Sequence, residues 1–594
     1  MIEVGGAEKG WVTQLREYFE KGSKTVVEES SGEEKRSLNA TVSLDKEGRV
    51  KQSRQGISRQ VTEWGYYSGR AYPDPFNEVE LDVVFTHSTG KSWKVPAYWA
   101  GGQEWRIRFA PPLAGGYEVV SICSDRTNQE LHGVAHQLQV TEYNGENKLL
   151  KHGGLRITSS QRRFEYEDGT PFFWLGDTWW MSLCKRLSWP EEFQLLTADR
   201  KAKGFSVIQI VAGLYPDMPS FDERGANEAG FPWEKDFARI NPAYFDAADL
   251  RIQWLIRSEM APCIVGSWGY HLPEMTVPKM KQHWRNLVAR WGSYPVIWCL
   301  AGESAMPYYL VTDKESGKPA QKAGWSEVGR YLSEIDPYHR LMTIHPQEIG
   351  RNEVLEDSGV NINMLQPGHS GAESVANTVS KVLQECKRTP IMPVVVGEVN
   401  YEGIMHGNAD EVQRHQFWVG FLSGAAGHTY GANGIWQVNT KTKPFGKSPG
   451  GGNWGDTPWE VAYQLPGAGQ LKLALDLLQR YPWWAFEPHQ EWVTPPVGNP
   501  EKGGGIYAPG SAQKINGIFA AGIPRKVRIL YFYDSANGAV VGGFESGVKY
   551  KAFYWNPRDG SEVDLGIVKS DAKGNWPIPI RPTMTDWALV FTAQ

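Results

Sequence analysis

The chain predicts a multidomain α/β protein: a central (β/α)8 barrel flanked by N-terminal and C-terminal β-sandwiches. Three observations carry this. Eight short apolar runs alternate with amphipathic stretches across the middle of the chain. On either side, short segments alternate apolar and polar residues between turn clusters. The 594 residues leave room for several domains at about 150 each. The boundaries fall at 1–150 (a sandwich with a charged leading segment), 151–486 (the barrel) and 487–594 (the second sandwich).

Residues 1–62 are charged and mixed, with an amphipathic piece near Trp11–Lys21 and a soft stretch at Val27–Arg36. Strand-like alternation follows at Val79–Phe85, Trp93–Trp99 and Trp105–Phe109, with turns at Ser88–Gly90 and Pro112–Gly116. The middle changes period. Its apolar runs are Phe172–Gly176, Phe205–Val211, Pro262–Gly266, Val296–Ala301, Leu341–His345, Ile362–Gln366, Pro393–Gly397 and Ala426–Tyr430. Helical patterning falls at Phe245–Met260, Lys279–Arg290, Ala323–Ile335, Ala372–Lys387 and Asp410–Ser423. Continuous rather than alternating apolar strands mean a parallel sheet covered by helices, and eight of them suit a closed barrel. An open dinucleotide-binding sheet would carry GxGxxG after its first strand, whereas this one runs into Gly176-Asp177-Thr178-Trp179-Trp180. The tail returns to strands at Lys526–Tyr533, Tyr550–Trp555 and Trp587–Phe591.

Composition narrows the function. Lys plus Arg is 62 against 67 Asp plus Glu, a net charge of −5, which argues against nucleic-acid binding and against a polybasic membrane anchor. No apolar run is long enough to span a bilayer, and no secretory leader is visible at the start. The five cysteines are scattered without a CxxC, and Cys263 and Cys299 lie in apolar runs as buried small hydrophobes. A reducing cytoplasm is therefore expected. The excess is aromatic: 26 Trp, 25 Tyr and 22 Phe suit surfaces that stack on the apolar faces of sugar rings.

Chemistry in such a barrel sits at the C-terminal ends of the strands. Those ends offer Asp177, Trp179 and Trp180, then a long loop at 212–243 holding Asp217, Asp222, Glu223, Arg224, Asn227 and Trp233. They continue with Trp268, Tyr270 and His271, then Glu303, His345, Gln366 and His369, Glu398, and finally Tyr430 and Trp436. Glu303 and Glu398 stand out, each the first charge after a buried strand and each preceded by glycine. Strands four and seven lie nearly across the barrel, so both carboxyls can face one pocket. Two carboxylates flanking a bond are what glycoside hydrolysis needs: one protonates the leaving oxygen, the other attacks the anomeric carbon or activates water. Glu402 is a rival for the second role. Asp177 is expected to bind a sugar hydroxyl. Trp179, Trp268 and Trp436 are expected to stack on sugar, with Tyr270, His271, His345, Gln366 and Tyr430 lining the pocket. Trp454 and Trp459 follow a glycine-rich loop, 449–453, which reads either as a mobile lid or as an ordinary flexible loop. There is no HExxH, P-loop, EF-hand loop or GxSxG elbow, so no metal and no cofactor is expected.

The stretches Phe172–Trp180, Asn241–Phe245, Pro262–Tyr270, His283–Glu303 and Val394–Gly403 resemble the apiosidase-like glycoside hydrolase family. Residues 63–142 are similar to the sandwich that often precedes its barrel. Lys549–Gly560 and Trp587–Phe591 resemble the small collagen-binding-type sandwich that follows it. The resemblance implies Glu303 as acid/base and Glu398 as nucleophile, with retention of configuration. The wider clan places Asn before the strand-four acid to hold the sugar 2-hydroxyl. Gly302 stands there in this chain, so that contact is expected from elsewhere.

The expectation is a retaining glycosidase acting on a plant or microbial oligo- or polysaccharide. Two other readings compete on sequence alone. One is a non-catalytic carbohydrate- or matrix-binding protein on a barrel scaffold. The other is a polysaccharide lyase or metal-dependent hydrolase on the same barrel.

Overall fold

The computed structural model describes residues 52–407, 409–494, 517–532 and 538–594. The sequence readings at Trp11–Lys21 and Val27–Arg36 lie outside the described residues. Eight parallel strands form the centre: β1 Trp174–Thr178, β2 Val207–Val211, β3 Ala261–Val265, β4 Ile297–Cys299, β5 Met342–Thr343, β6 Asn363–Leu365, β7 Val394–Val396 and β8 Gly427–Tyr430. Each falls on a predicted run. Every residue in them is buried, because side chains on one face fill the barrel and those on the other pack under helices. The ladder runs β5-β4-β3-β2-β1-β8-β7-β6. Its seam is bridged outside the ladder, where the Asn361 and Ile362 N–H groups donate to the Met342 carbonyl at 2.9 and 3.1 Å.

Helices wrap this ring: α1 Glu191–Ala202, α2 Pro242–Arg257, α3 Val277–Trp291, α4 Lys318–Ile335, α5 Ala372–Glu385, α6 Asp410–Leu422 and α7 Pro466–Leu478. In α3, Met280, Trp284, Leu287, Val288 and Trp291 recur at helical spacing and are buried as one stripe. Each such side chain contributes about 1.5–3 kcal/mol of burial. Proline in the first turn of α2, α3, α4 and α7 starts the helix where its missing N–H costs nothing. The β5–β6 connection departs from the regular pattern. It holds no α-helix, only a 3-10 turn at Gly350–Asn352.

The N-terminal sandwich pairs a five-stranded sheet with a three-stranded one over a shared core that includes Trp64, Leu81, Val83, Phe85, Ile107 and Phe109. In strand Leu81–His87 the odd-numbered residues are buried and the even-numbered ones half-buried, as period-two packing requires. The single strand expected at Trp93–Trp99 is two strands. Ser92–Pro96 lies in the larger sheet and Tyr98–Gly101 in the smaller. Pro96 cannot donate onward to the ladder, and the chain crosses between sheets just after it. The C-terminal sandwich sets a six-stranded sheet against three short strands.

Buried charges attach both sandwiches to the barrel. Arg108 of the first and Arg290 of α3 share the Asp249 carboxylate of α2 at 2.6 and 2.9 Å, and Trp291 Nε1 donates to its other oxygen at 2.6 Å. On the opposite side Arg414 of α6 pairs with Asp586 at 3.0 Å, and Trp418 stacks on Tyr531 with centroids 5.5 Å apart.

Candidate active site

Two strand ends aim the glutamates, and close packing explains the glycine before each. After β4, a Cβ on Gly302 would sit 2.2 Å from the Trp268 ring, which packs against that backbone. After β7, a Cβ on Gly397 would meet the Met364 side chain at 2.2 Å. The Gly397 and Glu398 N–H groups donate to the Leu365 carbonyl at 2.9 and 3.3 Å, so the end of β7 is tied to β6. Glu303 takes a φ of +42°, a left-handed conformation uncommon for a residue with a side chain and often found where function constrains the backbone.

Gln366, following β6, joins the two acids. Its Nε2 donates to Glu303 Oε1 at 3.1 Å and to Glu398 Oε1 at 3.2 Å. Glu398 has further partners: His369 Nε2 lies 2.8 Å from Oε1 and His345 Nε2 lies 2.9 Å from Oε2. Tyr401, whose hydroxyl accepts from Trp180 Nε1 at 3.1 Å, also bonds Glu398. The surroundings split the pair electrostatically. Burial, then the negative charge of Glu398, pushes the Glu303 carboxyl up from 4.5 to about 7. Burial pulls Glu398 the same way, but the hydrogen bonds and charge of His345 and His369 outweigh it and hold Glu398 down at about 2. His345 is raised: burial opposes its charge, and the bond to Glu398 wins. Near neutral pH, then, one carboxyl keeps its proton while the other is ionised.

The pair opens into a cleft of about 180 Å³ walled by Trp180, Trp268, Trp436, Trp454, Tyr309 and Tyr401, with Asp217, Gln347, Gln366 and His369 as its other polar groups. Among the described residues, no cluster of three or more His, Cys, Asp or Glu side chains is arranged to hold a metal ion.

Of the residues expected at the site, Glu303, Glu398, Gln366, Trp268 and Trp436 meet in this cleft, and His345 stands behind Glu398. The others are placed elsewhere. Asp177 is fully buried and points outward to α1, accepting from Arg200 Nε at 2.6 Å and Trp179 Nε1 at 2.7 Å. Trp179 packs edge-on against Phe193 of α1. Side chains alternate faces at a strand end, so it is the next residue, Trp180, that enters the cleft. Tyr430 donates to Glu402 at 2.5 Å, and Glu402 accepts from Gly467 N–H at 3.1 Å, where its negative charge favours the start of α7. The Tyr270 hydroxyl lies 3.0 Å from the Tyr215 and Met218 carbonyls. His271 bonds the Tyr215 carbonyl and Ser220, so both residues tether the loop after β2. Trp459 is buried against Tyr463.

Asp217 and Trp180, which the sequence places among the strand-end residues without a role, also line the cleft, and strand parity distinguishes Trp180 from Trp179. Tyr309, Gln347 and Tyr401 line it with no signal in the sequence.

Comparison with known proteins fits this arrangement. A family model described as "Apiosidase-like, catalytic domain" matches residues 158–485, more than half of the chain, and a domain of unknown function (DUF5060) matches residues 60–123. No curated protein matches the chain. One similar solved structure, described as a glycoside hydrolase, is 22% identical with a TM-score of 0.57, over 74% of this chain and 97% of its own. Another, a glycoside hydrolase family 5 protein from Bacteroides vulgatus, is 21% identical with a TM-score of 0.56, over 74% of this chain and 93% of its own. At these identities the likeness establishes the fold. The non-catalytic reading gives way to the family assignment: the chain belongs to the apiosidase-like family and is a glycoside hydrolase with a carbohydrate substrate.

Proposed function

We propose that this enzyme cleaves a glycosidic bond in a plant or microbial oligo- or polysaccharide with retention of configuration, Glu303 serving as acid/base and Glu398 as nucleophile. The observation that carries the reading is the single Gln366 amide bonded to both carboxyls. Because both bonds start on one nitrogen, the two oxygens cannot be farther apart than the two bonds laid end to end, about 6.3 Å. That favours direct attack over an intervening water, since inversion needs about 6.5–9.5 Å.

In the first step Glu303 gives its proton to the leaving oxygen as the C–O bond breaks, and a Glu398 oxygen bonds the anomeric carbon. In the second, Glu303, now ionised, takes a proton from water. The water oxygen displaces Glu398, which leaves as carboxylate. The charge split between the two acids supports this order. The reading extends to a reducing compartment, supported by five free thiols, and to a neutral rather than polyanionic partner, supported by the net charge of −5. The test is a panel of nitrophenyl glycosides and plant oligosaccharides, with proton NMR of the first-formed anomer. Glu303→Gln and Glu398→Gln are each expected to cut kcat by about 10²–10⁴-fold or more on the activated glycosides while the melting curve stays cooperative. Near-wild-type turnover in both variants, or an inverted first product, sinks the mechanism.

A further inference from the structure

Three separate segments meet at Asp217. It lies on the loop after β2 with φ at +56°, is 5% exposed, and lines the cleft beside both glutamates. One carboxylate oxygen accepts from the Tyr309 hydroxyl of the loop after β4. The other accepts from Trp454 Nε1, beyond β8, at 3.1 Å. Among the described residues no Lys, Arg or His forms an ion pair with it. Arg224, the nearest candidate, bonds only its backbone carbonyl and pairs instead with Asp222. Burial pushes its carboxyl up to about 6. A buried carboxylate without a cation is costly, and two bonds leave about two of its four acceptor positions free.

Among the described residues the lining of the cleft holds three acids, Asp217, Glu303 and Glu398, and no Lys or Arg. A neutral sugar ring carries hydroxyls that can donate to the open acceptor positions of Asp217. A uronate, phosphate or sulfate would face the Asp217 and Glu398 carboxylates, with His369, itself paired to Glu398, as the basic side chain of the lining.

We propose that Asp217 is a specificity-determining residue that accepts hydroxyl hydrogen bonds from a neutral sugar unit in this cleft, and that the cleft rejects anionic sugars. The proposal rests on the hydrolase reading for where the substrate lies. Its test separates the two. Tryptophan fluorescence follows titration of neutral monosaccharides and their matched uronic acids into Glu398→Gln and into Glu398→Gln/Asp217→Asn. Hydrolysis of paired nitrophenyl glycosides and glycuronides is measured on the wild type and on Asp217→Asn. The expected result is binding of a neutral sugar and not its uronate, weakened about 10- to 100-fold by Asp217→Asn, with KM rising by a similar factor and kcat changing less. Repeating the titration with each monodeoxy form of the bound sugar should find one position at which the Asn penalty largely disappears. An equal penalty at every position would show that Asp217 acts only through its loops, and would overturn the proposal. So would a KM within two-fold of wild type in Asp217→Asn, preference for the uronate, or no monosaccharide binding. Asp217-dependent sugar binding without any hydrolysis would leave this proposal standing and remove the catalytic one.

Discussion

Glu303 and Glu398 are the same residue type at equivalent strand ends, yet their partners differ. Glu398 collects two histidines and a tyrosine, while Glu303 has the Gln366 amide and a carboxylate for company. In the proposed mechanism Glu303 acts in its protonated form, so kcat/KM is expected to fall as pH rises through about 7. The same mechanism uses ionised Glu398, so the acidic limb should lie well below pH 4.5. A pH–rate profile with its alkaline midpoint two units or more away would contradict this assignment. Replacing Gln366 by leucine removes a donor that favours ionised Glu303, so the alkaline limb should move up while kcat drops. The same shift bears on stability. The folded state holds the Glu303 proton up to about 7 and the unfolded chain only to about 4.5, so this contribution is full below pH 4.5 and lost as pH rises through 7. Glu303→Gln should therefore be more stable than wild type at pH 8, by roughly 1–3 kcal/mol, and no more stable at pH 4. Denaturant melts at the two pH values check the sign.

Elements decide which neighbour of a strand end does chemistry. Asp177 and Trp179 face the helix layer, whereas Trp180 faces the cleft. Asp177 and Asp199 together neutralise Arg200, a guanidinium with no exposed surface. Breaking a buried pair from one side typically costs up to about 3–5 kcal/mol, and here Asp199 offsets part of that. Asp177→Ala should thus lower the melting temperature strongly while leaving KM of the folded fraction unchanged. A large rise in KM with an unchanged melt would return Asp177 to the substrate. Glu402 follows the same logic: it is used up at the start of α7 and by Tyr430, out of reach of the anomeric carbon.

At the scale of the whole molecule, the flanking sandwiches are held by charge clusters excluded from water. Asp249 serves Arg108, Arg290 and Trp291 together, and Asp586 serves Arg414 and Tyr531. Asp249→Ala removes the one buried counterion of the cluster and leaves Arg108 and Arg290 only the more exposed carboxylates of Glu63 and Asp246. It should destabilise the protein by up to about 3–5 kcal/mol and release the sandwich first. Hydrogen exchange should then show lost protection in strands Leu81–His87 and Glu104–Phe109 before the barrel strands. Simultaneous loss throughout would mean that the barrel depends on the sandwich for its own stability.

The amino-acid sequence by itself determined the barrel, its eight strands and its two acids. Continuous apolar runs bounded by glycine can be satisfied only by a sheet covered on both faces, and Glu303 and Glu398 are the first charges such strands meet at their ends. Tertiary structure alone decided the rest. Whether Trp179 or Trp180 enters the cleft depends on strand parity, and a shift of one position reverses it. Asp217, Tyr309 and Trp454 lie on three loops whose meeting leaves no periodic trace in the chain. The opposite charge states of the two glutamates arise from burial and from His345 and His369, brought to Glu398 from two further strand ends. Local patterning specifies which surfaces must be buried, and only the closed ring specifies which polar groups face one another across it.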